Sequence, residues 1–449
     1  MTEPTREQIL DRIRAAGVVG AGGGGFPAHV KLDARVEVVL ANGAECEPLV
    51  RVDQQEMADR PAELLRGLLL AMAATGARRG IVGLKAKYKT AVERLGETIR
   101  QRRLADRVSL HLLENFYPAG DEFVLVREAL GRAIPEFGLP LDVGAVVSNV
   151  STLLDVAAAV DEARPVTHRL VTVTGAVREP SSFRVPLGTP LGALVAAAGG
   201  PTEPRTRLIA GGPMMGTLVP DDGQPVVKTT SAVLVLPEQH PVVQRRLRDA
   251  KRQLQLTRTA CLKCMMCTEI CPRNLLGHRL YPDRLMRNLA AGVTEDLEAF
   301  VGSFLCSECG LCAVYGCVMN LDPAYVNRTL KAKLAAAGVP RPAPPTKPER
   351  VFQPLRRVPL PRLVARLGLT PYDRPAPLRP FERRVPCLVV PLKQHAGLPA
   401  RAVVRTGQRV APGDLLGELP EGKLGARVHA GTAGRVVEVT DAAVTIEVE

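Results

Sequence analysis

The 449-residue chain has no tryptophan, and aromatic residues make up only 3% of it. Nucleic-acid modules pair basic groups with aromatic platforms or a recognisable motif. No nucleic-acid partner is therefore expected, despite a net charge of +13. Long apolar runs are also missing. Residues 67–74 come nearest, and they are too few to cross a bilayer. Residues 1–7 show no signal-peptide pattern, so a cytoplasmic protein is expected, with docking on a membrane complex left open. The seven histidines are scattered, and none is assigned to a metal.

The positive charge is concentrated. Between Arg341 and Arg384 there are 11 Lys and Arg against 3 Asp and Glu, which is +8 of the +13. The same stretch holds Pro340, Pro342, Pro344, Pro345, Pro348, Pro354, Pro359 and Pro361 at its edge or inside it. It reads as an extended, semi-rigid linker. Its charge suits a basic strap that grips an acidic partner or the body of the protein.

Cysteine is the informative residue. Eight of ten fall within 57 positions. Cys261, Cys264, Cys267 and Cys271, followed by Pro272, form C-x2-C-x2-C-x3-C-P, the ligand spacing of bacterial ferredoxins. Cys306, Cys309 and Cys312 repeat the triplet, with Cys317 four residues further on and Val318 in place of the proline. A zinc site takes four ligands, usually as two C-x2-C pairs, and would leave the third cysteine of each run unused. Disulfides do not suit a reducing compartment. Two 4Fe–4S clusters are expected. In two-cluster ferredoxins the fourth cysteine of a run serves the other cube. Cross-ligation would group Cys261, Cys264 and Cys267 with Cys317, and Cys306, Cys309 and Cys312 with Cys271. Cys46 and Cys387 read as small buried apolar groups.

Upstream lies a glycine-rich stretch, residues 20–27, with Gly22, Gly23, Gly24 and Gly25 in succession before Phe26 and Pro27. It fits G-x-G-x-x-G, but a helical pattern (6–16) precedes it where the dinucleotide fingerprint needs a strand. The physical content remains. Successive glycines expose amide N–H groups, so a phosphate or flavin can approach the backbone. Lys31 follows as a candidate counter-charge.

Strand-like stretches (36–40, 81–84, 108–113) then alternate with helical ones (61–74, 88–102), which predicts a parallel sheet. Such sheets bind ligands at the carboxyl ends of their strands. The loops 41–48 and 114–122 fall there and carry Asn42, Glu45, Glu47, Asp121 and Glu122. Residues 148–152 cap a helix to about 160. A strand at 168–175, a short helix at 190–198, a second glycine-rich loop at 211–216 and a strand at 231–236 fit a small α+β module. Helices are expected at 243–256, 283–291 and 325–337. The last stretch, 387–448, has short strands between turn signals and resembles one half of a barrel-sandwich. No lysine stands at the hairpin tip where lipoyl or biotinyl carriers are modified, so it reads as a structural or docking module.

Together these pieces resemble a known assembly. Residues 22–31, 42–48, 117–122 and 147–152 look like the flavin and nicotinamide loops of the NADH-binding subunit of respiratory complex I. Residues 168–240 resemble its soluble-ligand-binding β-grasp module. The dicluster segment and barrel-sandwich are the parts of RnfC-like proteins, in which the barrel-sandwich is N-terminal. Its C-terminal position here, with the spacing before Cys317, resembles PduS-type cobalamin reductases. The resemblance implies a multidomain α/β and α+β chain. Its parts are an FMN/NADH-binding domain (1–165), a β-grasp domain (166–240), a helical dicluster ferredoxin-like domain (241–340), the linker (341–384) and a barrel-sandwich (385–449). By resemblance, Gly22, Gly23, Gly25, Lys31, Asn42, Asn149 and Thr152 would contact FMN. Glu45, Glu47 and Glu122 would lie near FMN or the nicotinamide nucleotide, and Phe26 would stack beside the adenine of NADH. The chain departs from complex I at Ala34, where a second aromatic is usual, at Asp121-Glu122, which replaces a Glu-Glu pair, and in a shorter loop at 132–146.

The expected chemistry is electron transfer from NADH through FMN and the clusters to a one-electron acceptor, with no side chain acting as acid or base. A corrinoid cobalt is the acceptor that the resemblance implies. No D-x-H-x-x-G run is present to bind cobalamin through a histidine. The corrinoid would be a visiting substrate or arrive on an adenosyltransferase, in the cytoplasm or inside a bacterial microcompartment. Two rivals remain: an RnfC-like subunit of a membrane redox complex, and an iron–sulfur scaffold without flavin activity.

Overall fold

The computed structural model describes residues 3–341, 350 and 353–449. Pro342, Pro344, Pro345 and Pro348 lie outside the described residues.

Four parallel strands form the first sheet, in the order Val108–Leu113, Arg79–Lys85, Val38–Gly43, Ala145–Asn149. The central strand Val38–Gly43 is almost wholly buried, as expected when helices cover both faces. Helix Pro61–Thr75 packs against Val150–Asp161, and the apolar face of Arg6–Ala15 (Ile9, Ile13) closes the same layer. The expected strand at 36–40 is shifted, because buried pairing extends through Asn42 and Gly43. Helices Val52–Asp59 and Glu122–Leu130 and the strand Ala145–Asn149 were not foreseen. The first of these carries Asp53, Gln54, Gln55 and Glu56, and shows little apolar periodicity to betray it.

The β-grasp module contributes His168–Gly175, Ser181–Pro186, Ala232–Pro237, Thr206–Ala210 and Thr217–Leu218 to a mixed six-stranded sheet. Helix Leu191–Ala197 packs on it. The expected helix at 243–256 is two helices, Pro241–Leu247 and Ala250–Ala260. Arg248 is extended between them, and Asp249 accepts a hydrogen bond from the Arg252 N–H to start the second. Helices Pro282–Ala291 and Pro323–Ala336 complete the cluster module. The C-terminal module is two facing antiparallel sheets over Leu388, Val390, Leu416, Val436 and Ile446.

From Gln353 onward the expected linker is a built part of the body. Val358–Pro359 pairs with Phe116–Tyr117 of the first domain, and Leu378–Arg379 extends the β-grasp sheet beside Ser181–Pro186. Helix Leu360–Arg366 buries Leu360, Leu363 and Val364 in a core shared with Tyr117, Leu236 and Leu311. The basic residues grip as well. Arg357 pairs with Glu128 (2.7 Å) and Glu114 (3.1 Å) and Arg356 with Glu269 (2.8 Å), and in the opposite sense Asp373 of this segment pairs with Arg51 of the first domain (2.5 Å). The more exposed of these pairs contribute only about 0–1 kcal/mol each, and buried Leu360, Leu363 and Val364 add apolar attachment.

Candidate flavin and iron–sulfur sites

The glycine-rich stretch is a pinned loop beside the carboxyl ends of the parallel strands. At its base the Ala28 N–H donates to the Val18 carbonyl (3.0 Å), and the Gly20 N–H to that of Phe26 (2.9 Å). The Gly25 N–H returns to the Gly20 carbonyl (3.1 Å). On one side the Thr152 hydroxyl accepts from the Ala21 N–H (2.9 Å), and a Cβ on Gly22 would lie 3.3 Å from that of Asn149. At Gly23 and Gly24 an added Cβ would meet nothing within 4 Å. The tip therefore offers exposed backbone with open space beside it. That fits the backbone cradle a flavin nucleotide needs. Phe26 is exposed beside the loop.

Asn42 and Asn149 stand at the ends of paired strands. The Asn42 amide donates to the Gly120 carbonyl (2.9 Å), and its oxygen accepts from the Ala44 N–H (3.1 Å). Asn149 caps the helix Val150–Asp161 and donates to Asp53 (3.0 Å). Lys31 pairs with Glu122 (3.3 Å), so two predicted site residues meet each other. Glu45 accepts from the Glu47 N–H (3.0 Å). Burial raises the Glu45 carboxyl, while Lys85 acts to lower it. Asp53 is raised well above the usual range by burial and then by Glu45.

Glu47 is bonded to the β-grasp module. Its two oxygens accept from the Met214 (2.9 Å) and Met215 (2.8 Å) N–H groups of the second glycine-rich loop. That close approach needs a glycine: a Cβ on Gly212 would lie 2.1 Å from a Glu47 oxygen. Burial raises the Glu47 carboxyl to about 7. Glu47 thus fastens the flavin-type domain to the β-grasp module. The sequence reading missed this role, and it missed Lys85. The Lys85 amine is buried at a strand's carboxyl end with no hydrogen-bond partner among the described residues. A lysine ending the apolar run 81–84 is the signal that could have found it.

The cysteines form two quartets. Cys261, Cys264, Cys267 and Cys317 line one small cavity together with Met265, Met286 and Val318. Cys271, Cys306, Cys309 and Cys312 form the other: burial first, and then the neighbouring Cys309, Cys306 and Cys271 thiols, disfavour ionisation of Cys312. The runs share one backbone design. Residues on both sides of the middle cysteine are left-handed: Lys263 and Met265 in the first, Glu308 and Gly310 in the second. Alternating handedness turns amides toward the sulfurs. The Glu308 N–H reaches the Cys306 Sγ (3.4 Å), and the Leu321 N–H the Cys317 Sγ (3.3 Å).

Burial pushes the Cys271 thiol up to about 12, and burial followed by Asp283 does the same to Cys267. Four thiolates packed this way need cationic iron to balance them, and the sulfur-only donor sets suit iron–sulfur cubes. Among the described residues no group of three or more His, Cys, Asp or Glu side chains is placed to hold a single metal ion. The Cys46 thiol, raised by burial, stands apart near Gly120.

One quartet is fastened to the flavin-type domain. The buried Tyr117 hydroxyl donates to the Cys309 carbonyl (2.8 Å). Arg273, two residues past Cys271, pairs with Asp121 (3.0 Å) and lies 3.4 Å over the Phe123 ring. The Met214 methyl lies 3.5 Å from where a Cβ on Gly310 would be. The other quartet opens outward, with Leu262, Met265, Val318 and Met319 exposed around it.

Four family descriptions match successive parts of the chain. They are the Nuo51 FMN-binding domain at 13–158, the SLBB domain at 170–218, the 4Fe-4S dicluster domain at 260–322 and the RnfC barrel sandwich hybrid domain at 381–448. Cobalamin reductase PduS of Salmonella typhimurium is 44% identical over 98% of this chain and 96% of its own length. PduS of Citrobacter freundii is 42% identical over the same shares. A component of the proton-translocating ferredoxin:NAD(+) oxidoreductase complex of Clostridium ljungdahlii is 32% identical over 60% of this chain and 56% of its own length. The fold is thus the expected mixed α/β assembly, and the chain is an oxidoreductase type built for FMN and two 4Fe–4S clusters. No helix among the described residues is long and apolar enough to cross a membrane.

Proposed function

The chain belongs to the PduS family of cobalamin reductases, and from that premise we propose that it carries electrons from NADH to the cobalt of a corrinoid. The observation that carries this reading is the serial placement of the two thiol quartets. One is tied to the flavin-type domain through Tyr117 and Arg273, and the other opens to the surface. Bound FMN supplies acceptance of a hydride as two electrons and their release one at a time, and 4Fe–4S clusters supply one-electron carriage.

The protein's part is to hold and to order. Gly22 and Gly23 present backbone to the flavin, with Lys31, Asn42, Asn149 and Thr152 around them, while Gly25, buried and with both its N–H and its carbonyl bonded within the protein, anchors the loop's end. Thr152 acts through the loop by holding the Ala21 N–H. Glu45 and Glu122 border the nucleotide side, and Phe26 offers an exposed ring for the adenine. Glu47 acts at one remove, through the second glycine-rich loop. Cys271, Cys306, Cys309 and Cys312 hold the inner cluster, and Cys261, Cys264, Cys267 and Cys317 the outer one. Electrons leave from the outer quartet, where the corrinoid arrives free or on an adenosyltransferase. The reading places the protein in the cytoplasm, including the interior of a microcompartment.

Anaerobic purification with iron, sulfide and flavin counts, followed by visible spectra before and after NADH, tests the reading. Bleaching of the iron–sulfur band and NADH-driven reduction of cobalamin are expected. Intact clusters that do not bleach would refute NADH as donor, and protein without flavin would leave only a scaffold.

A further inference from the structure

The glycine loop has a third wall, built by the C-terminal module. The Ala396 N–H donates to the Gly25 carbonyl (2.9 Å). A Cβ on Gly25 would lie 3.2 Å from the His395 Cα and 3.4 Å from the Thr229 methyl. Gly25 has φ +61° and is buried, although Gly22, Gly23 and Gly24 are exposed. Contacts from 395–396 and from Thr229 therefore clasp the loop's far end, while Thr152 holds its near end.

The clasp is seated by Lys228. This side chain is fully buried at the meeting of three modules. Its side-chain amine donates to the Gly17 carbonyl, just before the loop, and to the Arg427 carbonyl of the C-terminal module, both at 2.6 Å. Its backbone N–H donates to the Gln394 side chain (3.0 Å), next to His395. One residue thus joins the loop's approach to the two segments that wall its far end. Burying an amine is costly unless its donors are used. Here two of them hold main-chain carbonyls on different modules.

Four consecutive glycines lose the most conformational freedom on ordering. A loop that must be ordered anew for each ligand binds weakly, and pre-organisation removes that cost. We propose that the C-terminal barrel-sandwich, seated through Lys228, is a positioning device for the flavin site: it holds Gly25 so that Gly23 and Gly24 stay shaped for FMN. The inference rests on the reading of residues 22–25 as a flavin loop. It gives a structural module without a carrier lysine a definite task in the reaction.

The test uses full-length protein, purified anaerobically, stripped of flavin and titrated with FMN. FMN binding by the parent protein tests the flavin reading itself, and the variants test the clasp. In Lys228→Met, amide exchange at 17–26 should rise, and the Kd for FMN should rise about tenfold, the worth of roughly one lost hydrogen bond. Iron content should stay unchanged. Gln394→Ala, a milder change at the same joint, carries the test if Lys228→Met does not accumulate, with the same shifts in the same direction. Faster exchange at 17–26 with an unaltered Kd would overturn the proposal, because the loop would then not need holding. Unaltered exchange would overturn it too, because the joint would then not be what holds the loop.

Discussion

The two thiol quartets share ligand type, the C-x2-C-x2-C spacing of their triplets and backbone handedness, and differ in what surrounds them. The inner one is closed by the Tyr117 hydroxyl, the Arg273–Asp121 pair and the strap's leucines. The outer one is ringed by exposed apolar side chains, with Leu262 62% and Val318 60% exposed. Local sequence makes a cluster site, whereas burial sets its place in a relay. An inner carrier needs fixed neighbours on both sides, and an outer one needs a face that a visitor can reach.

The sharpest way to break the comparison is to remove a ligand that sequence and space assign to different runs. Cys271→Ser lies in the first run, yet it should cost the cluster of the second, removing about four irons per chain. FMN should stay bound, and cobalamin reduction should be lost. Cys317→Ser should remove the outer cluster and leave the inner one reducible by NADH. Electron paramagnetic resonance with iron counts reads both. If both clusters survive either change, the grouping is wrong.

The fastening of the inner quartet is tested by Tyr117→Phe. The variant leaves the buried Cys309 carbonyl without its donor, at a cost of about 1–3 kcal/mol. A lower melting temperature and slower NADH-driven bleaching are expected, with both clusters present.

Glu47 gives a pH signature for the same junction. Its folded value, about 7, lies above the unfolded carboxyl value of 4.5. Between these values the folded state binds more protons, so this group's contribution is complete below 4.5 and is lost as pH rises through about 7. Glu47→Gln should flatten the stability profile across that window, as read by chemical denaturation at several pH values.

The smallest effect is expected at the outer lip. Met319→Gln keeps the side chain's length at the rim of the cavity and replaces none of the eight cysteines. Iron content and NADH bleaching should be those of the parent, with cobalamin reduction slowed a few-fold, about 1 kcal/mol. An equal slowing of bleaching would place the effect upstream of the lip.

Much of this was legible in the chain because it is local. Ligand spacing decides whether a loop can wrap a cube, so residues 261–271 and 306–317 declared the clusters. Alternating apolar stretches declared the sheet. What stayed hidden depends on partners far away in sequence. Nothing near Glu47 announces Met214, and nothing near Pro359 announces Phe116. The helix Val52–Asp59 escaped because its buried Asp53 and Glu56 look like surface residues until Asn149 and Ser151 are placed against them. The strap looked like a linker because proline and arginine dominate its composition, while its apolar attachment lies in a few leucines.

By itself the sequence determined the cofactor classes: thiols at ferredoxin spacing and bare amides in a glycine run are chemistry carried by neighbouring residues. Only the tertiary structure decided which quartet faces the flavin-type domain, and that the C-terminal module closes on Gly25. Those are matters of burial and of hydrogen bonds between segments hundreds of residues apart, set by packing rather than by any local pattern.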